Sequence, residues 1–177
     1  MRKSLPESSA HFSSTLPISV LTKPEGSDNE EFRVLEQGPG YFYAQPGFEV
    51  GIRISNMDDV ALIHLVTEIS AVPVITFLDL SENRKITNKG IAALSGLKSL
   101  TRLNLSSCGL NNQGLPYLIS LKNLKHLDLS HCHRITDQGI KYLQGMTHLS
   151  FLDLQGTPKI TNAGLKRLQR EGLQIHK

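Results

Sequence analysis

Long apolar runs are missing from this 177-residue sequence. No stretch approaches the roughly 18 residues that a membrane-crossing helix needs, so no span is expected. Arg2 and Lys3 imitate the charged start of a secretory signal, but Leu16 to Leu21 behind them is broken by Pro17 and Ser19. That stretch is too short for a signal core, and a cytoplasmic protein without a Sec signal is expected. Cysteine is equally scarce, with Cys108 and Cys132 alone. Two cysteines do not build a disulfide scaffold in a chain of this size, which points to a reducing compartment. Zinc-type C-x2-C and H-x3-H spacing is absent. So are the G-x-S-x-G, H-E-x-x-H and P-loop patterns of common hydrolytic and nucleotide chemistry. No enzyme activity, metal or cofactor is expected from these absences.

What is present is an ordinary globular composition, 39% apolar and 20% charged. The length suffices for one domain with a proper core. The net charge of +3 conceals an asymmetry: residues 1–73 hold five Lys/Arg against ten Asp/Glu, and residues 74–177 hold fourteen against six. Two segments of opposite sign suggest two different constructions.

The second segment repeats itself. "ITFLDLSENRKITNKGIAALSGLKS" (75–99) is followed by "LTRLNLSSCGLNNQGLPYLISLKN" (100–123). Then come "LKHLDLSHCHRITDQGIKYLQGMTH" (124–148) and "LSFLDLQGTPKITNAGLKRLQREG" (149–172). Leu78, Leu103, Leu127 and Leu152 recur at steps of 25, 24 and 25 residues, and Gly90, Gly114, Gly139 and Gly164 keep nearly the same step. Such a period, with L-x-x-L-x-L-x-x-(N/C) in each unit, is the leucine-rich-repeat pattern. The L-x-L piece predicts a short strand with leucines inward and polar residues outward. Asn83, Cys108, Cys132 and Thr157 then turn the chain off the strand and point into the stack. Thr87, Thr136 and Thr161, with Asn111 in the second unit, stand where a helix N-cap is wanted. Each column glycine lies in the first helical turn, where it admits close approach of a neighbour. An incomplete unit precedes the four, with Ile52 and Ile54 at the positions of Leu78 and Leu80, and Leu173 and Ile175 read as a last half-strand. The expected fold is a right-handed α/β solenoid of about five turns over residues 50–177, with parallel strands on its concave face.

"LDLSHCHRITDQGIKYL" resembles the cysteine-containing subfamily of leucine-rich repeats, found in F-box proteins and in bacterial proteins that include secreted effectors. The resemblance covers roughly residues 50–177. It implies a curved solenoid that binds a protein partner on the concave face. For function it implies an interaction module, either an effector working in a host cytosol or a substrate adaptor. No F-box segment is found in residues 1–49, so a ubiquitin-ligase role would require one supplied from elsewhere.

Residues 1–30, with seven serines and three prolines, read as a flexible tail. Residues 31–49 hold half of the ten aromatics: Phe32, Tyr41, Phe42, Tyr43 and Phe48. Gln37 to Gly40 looks like a turn between two extended pieces. This segment is expected to cap the open end of the solenoid, and an aromatic partner contact is compatible with that role.

Three candidate chemistries present themselves. His131, Cys132 and His133 look like metal ligands, but adjacent residues of a strand exit diverge, and Cys132 is expected buried as a small hydrophobe. Cys108, one period earlier, is expected to be a second free thiol, because equivalent side chains point the same way. The column Asp79, Asn104, Asp128, Asp153 could be read as paired carboxylates, but it follows from the repeat itself. The basic surplus (Lys85, Lys89, Lys98, Lys122, Lys141, Lys166, Arg167, Arg170) falls on loops and outer helix faces without interleaved aromatics, which speaks against nucleic acid. A protein partner is therefore expected, bound by a monomer through Phe77, Asp79, Glu82, Arg102, Asn104, His126, Asp128, His131, Phe151 and Asp153. In that reading Phe77 and Phe151 are exposed anchors around a polar centre, unless the N-terminal segment covers Phe77.

Overall fold

A computed structural model describes residues 10–27 and 30–177. Two antiparallel strands, β1 (Ala10–Ser14) and β4 (Gly40–Ala44), form a small sheet. The main sheet has eight strands, and four of its members come from the predicted repeats. These are β6 (Ile75–Asp79), β7 (Arg102–Asn104), β8 (His126–Asp128) and β9 (Phe151–Asp153). Before them stands β5 (Phe48–Arg53), and after them β10 (Gln174–His176), so the incomplete first unit and the final half-strand are both real. All six pair in parallel, with Ile52, Leu78, Leu103, Leu127, Leu152 and Ile175 in one inward row. Helices α1 (Asp59–Ile69), α2 (Asn88–Ala93), α3 (Leu115–Leu118), α4 (Asp137–Ile140) and α5 (Asn162–Leu168) return the chain behind the sheet. This is the α/β leucine-rich-repeat architecture expected from the period.

The expectation of a flexible tail over residues 1–30 is corrected. Residues 1–9 lie outside the described residues, but β1 and β2 (Ser19–Pro24) are built strands. β2 runs antiparallel to β5 and separates it from β3 (Arg33–Gln37). An open parallel edge would leave a row of peptide groups unpaired, and β2 pairs them. Ile18, Val20 and Leu21 are buried as a result. The turn at Gly38-Pro39 separates two extended pieces as read, but β3 and β4 join different sheets rather than pairing with each other. Phe12 and Phe42, 5.2 Å apart, form the buried centre of the small sheet.

Glu68 of α1 anchors this N-terminal segment. Its carboxylate accepts from the Ser14 hydroxyl (2.7 Å), the Thr15 hydroxyl (2.6 Å) and the Thr15 N–H (2.9 Å). Burial alone would raise its pKa, but the hydrogen bonds from Thr15 and Ser14 outweigh it and hold the group below its ordinary value of 4.5.

The strand exits show how the interior tolerates polar atoms. Asn83 is buried and fully used: its carbonyl accepts from the Met57 N–H at 2.6 Å, and its amide donates to Ile54 O at 2.8 Å and Leu80 O at 2.9 Å. One turn on, the Cys108 thiol donates to Leu80 O at 3.1 Å, and the Cys132 thiol donates to Leu105 O at 3.2 Å. Burial pushes both thiols up to about 12. Thr157 closes the column by donating to Leu154 O.

A second ladder joins the helix starts. Asp59 accepts from the N–H (2.7 Å) and hydroxyl (2.6 Å) of Thr87, and Asp137 does the same for Thr161 at 2.8 and 2.6 Å. Asn88 pairs likewise with Asn111, and Asn112 with Thr136. Three of these partners are the N-cap threonines Thr87, Thr136 and Thr161, whose backbone donors are thereby ordered; Asn111 is not the cap expected from the sequence, since α3 starts behind Gly114 with no side-chain cap. The ladder explains the glycine column. A Cβ at Gly90 would stand 2.6 Å from the Asp59 carboxylate, and one at Gly164 would stand 2.2 Å from that of Asp137.

Three outcomes are expected. Asn83→Ala strands the Met57 N–H and Ile54 carbonyl and should cost about 2–3 kcal/mol in urea unfolding; an unchanged midpoint would contradict the buried network. Glu68 stabilises the fold above its ordinary pKa, and that contribution is lost as pH falls through its lowered native value. The melting temperatures of wild type and Glu68→Gln should therefore differ near neutrality and converge in acid. Cys108 and Cys132 should resist a thiol-reactive dye in native protein at mildly alkaline pH and both react at once in denaturant.

Candidate functional site

The outward residues of the parallel strands form two rows across the concave face. The first runs Gly51, Phe77, Arg102, His126, Phe151 and Gln174, each paired with the next. The second runs Arg53, Asp79, Asn104, Asp128, Asp153 and His176. Between the first row and the N-terminal segment lies a shallow groove of about 200 Å³, lined by Phe32, Phe77, Arg102, His126, Asp128 and Phe151, with Asn104 beside them.

Neither anchor aromatic is fully exposed. Phe77 sits over Gly51, where an added Cβ would come within 2.8 Å of its ring, and Phe32 covers it from the other side at 4.8 Å between centroids. The N-terminal segment thus covers Phe77 in part, and Phe32 joins the groove wall. Lys23, buried beneath, pairs with Glu49 at 3.2 Å and stands 5.5 Å from the Phe32 ring. At the far end Phe151 lies between His126 and His176, at 5.7 and 4.8 Å. His176 escaped the sequence reading because the terminal half-strand shows only its inward Leu173 and Ile175 as pattern.

The second row has a structural task. One carboxyl or amide oxygen of Asp79, Asn104, Asp128 and Asp153 accepts from the N–H two residues on, at 2.8 to 3.1 Å. These are Asx turns, which bend the chain at each strand end. Asp79 is also buried, and its other oxygen takes the Arg53 Nε–H at 2.6 Å. As a partner contact Asp79 is therefore corrected: it is enclosed by Arg53, a residue the sequence reading did not single out.

Glu82 and His131 do not line the groove. Both lie past the strand, with φ of 63° and 56°, in the left-handed region. Asn56, Ser107 and Gly156 hold the equivalent places with φ of 59°, 56° and 64°. Ser107 and His131 of this column line a concavity at the loop edge and not the groove. The column's signal was legible at both ends, since Asn and Gly are the residues that adopt this conformation most readily. His131 and His133 meet edge to face at 6.3 Å, while the Cys132 thiol between them is directed inward to Leu105 O. The three side chains do not converge. Of the ten candidates, the groove brings together Phe77, Arg102, Asn104, His126, Asp128 and Phe151; Asp153 lies below it in the second row.

No helix among the described residues is long and apolar enough to cross a membrane. A family model described as "Leucine Rich repeats (2 copies)" matches residues 122–167, and one described as "Leucine Rich repeat" matches 73–95 and 96–118. No curated protein matches the chain significantly. Among solved structures, the yeast Rad7 and Elc1 complex has a chain that is 22% identical with a TM-score of 0.58. The match covers 71% of this chain and 31% of that one. Internalin inlF of Listeria monocytogenes str. 4b F2365 is 22% identical over 62% of this chain and 30% of its own, with a TM-score of 0.48. Internalin C2 (inlC2) of the same strain is 26% identical over 62% and 44%, with a TM-score of 0.45. This chain thus spans less than half the length of each of these structural neighbours. Period, parallel ladder and family models agree: the chain belongs to the leucine-rich-repeat proteins.

Proposed function

We propose that this chain is a non-enzymatic recognition module that takes an extended segment of a partner protein along the first row of its concave face. The observation that carries the reading is the groove itself: apolar walls at Phe32–Phe77 and at Phe151, with Arg102 and His126 between them. An occupant that matches it has apolar side chains flanking a polar group. Aromatic side chains and arginine are the residue types that dominate binding energy at protein interfaces. Strand faces of solenoids supply such surfaces because adjacent turns hold outward residues at fixed spacing. The second row supports a structural reading of its carboxylates, since one oxygen of Asp128 and one of Asp153 each accept a turn N–H. The finer reading is a secreted bacterial effector acting on a host protein, or an adaptor in a ubiquitin-ligase-like complex. Which of the two applies rests on the partner's identity.

The test compares capture from lysate by wild type, a Phe77/Arg102/His126/Phe151 alanine variant, and a convex-face Lys89/Lys166 alanine control. Because Phe77 also packs on Gly51, an Arg102→Ala/Phe151→Ala pair with checked melting temperature accompanies them. Wild type and control should retain the same partner, and both concave variants should lose it. Equal recovery by all four proteins would refute the concave-face reading.

A further inference from the structure

A second concavity lies outside the groove, on the loop edge where the chain leaves the strands. It has a volume of about 280 Å³ and is lined by Arg84, Ser107, His131, His133 and Arg134, with Cys108 and Gly109 at its base. Three consecutive turns of the solenoid contribute to it. The left-handed backbone at Ser107 and His131 places their side chains at this edge. Gly156 leaves room for the His131 ring, since a Cβ there would stand 2.3 Å from its Nδ1. The His133 ring meets His131 edge-on at 6.3 Å. Arg134 is pinned across the preceding turn by a hydrogen bond from Nη1 to Gly109 O at 3.3 Å.

The lining carries donors and no carboxylate. Glu82 approaches Arg84 at 3.9 Å, with both side chains largely in solvent, and does not line the concavity. Among the described residues no acid pairs with Arg134, His131 or His133. Two guanidinium groups and two imidazoles border one small space, and guanidinium forks suit the oxygens of a phosphate. The volume falls just under the roughly 300–1,000 Å³ of drug-sized pockets, which suits a small charged group. The geometry points to a phosphate-monoester site formed by Arg84, His131, His133 and Arg134, separate from the concave groove. Its chemistry is that of a phosphorylated side chain on a peptide or of free phosphate.

The full chain labelled with ¹⁵N is titrated with inorganic phosphate, with a phosphoserine peptide, and with the same peptide unphosphorylated. Both phosphates should shift the amides of residues 107–109 and 131–134, and the unphosphorylated peptide should not. Tighter binding of the phosphopeptide than of inorganic phosphate would assign the site to modified protein; equal binding would assign it to free phosphate. Arg84→Gln/Arg134→Gln should weaken binding by about tenfold or more, as expected when two charge-assisted donors are removed. Arg84→Gln alone, on an exposed side chain with no hydrogen bond into the fold, guards against misfolding and should weaken it in the same direction. Absence of shifts at these amides, equal binding of the unphosphorylated peptide, or undiminished binding by the single and double variants would each overturn the site. So would preference for a short single-stranded oligonucleotide over both phosphate monoesters.

Discussion

Every turn of this solenoid must carry its chain from a strand into the interior without leaving peptide groups unpaired. From the second turn on, that constraint is met by one buried polar side chain per turn, and the remaining features follow from it. Asn83 satisfies the first interior exit with three good hydrogen bonds, and the cysteines at the next two turns each satisfy one carbonyl of the turn before. A buried, unpaired carbonyl would cost about 1–3 kcal/mol, so these side chains are held in place by the backbone they serve. The thiols are consequently structural, and the closeness of Cys132 in sequence to His131 and His133 does not make a ligand set.

The exits also divide the surface. Up to the Asx turn, outward side chains face the concave sheet; just beyond it, Ser107 and His131 of the left-handed column stand at the loop edge. Residues only five positions apart therefore serve different surfaces. His126 belongs to the groove and His131 to the basic edge, although both stand on the same turn of the repeat. The helix starts form a third line, where Asp59, Asn88, Asn112 and Asp137 lock successive turns together.

Much of this was legible beforehand. The inward leucines, the exit column, the threonine caps and the close-approach glycines all repeat with a fixed step, so each copy reinforces the others. The N-terminal strands were not legible. Ser13, Ser14 and Ser19 give β1 and β2 the composition of a loose segment, and the partner β4 lies some thirty residues away in sequence. What makes β1 and β2 ordered is the Glu68 carboxylate and the edge of β5, neither of which has a local signature. For the same reason the cover of Phe32 over Phe77 stayed an open alternative, and the pairing of Arg53 with Asp79 went unseen.

The sequence by itself determined the period, the inward and outward assignment of each strand residue, and the identity of the buried polar column. These are local consequences of alternation and of a step of about 25 residues. Tertiary structure alone decided which outward residues share a surface. It placed Phe32 beside Phe77, His176 beside Phe151, and Arg84 beside His131 and Arg134. The physical reason is that stacking distance between turns and the left-handed bend at each strand exit set side-chain direction, and neither is written in the residues that end up together.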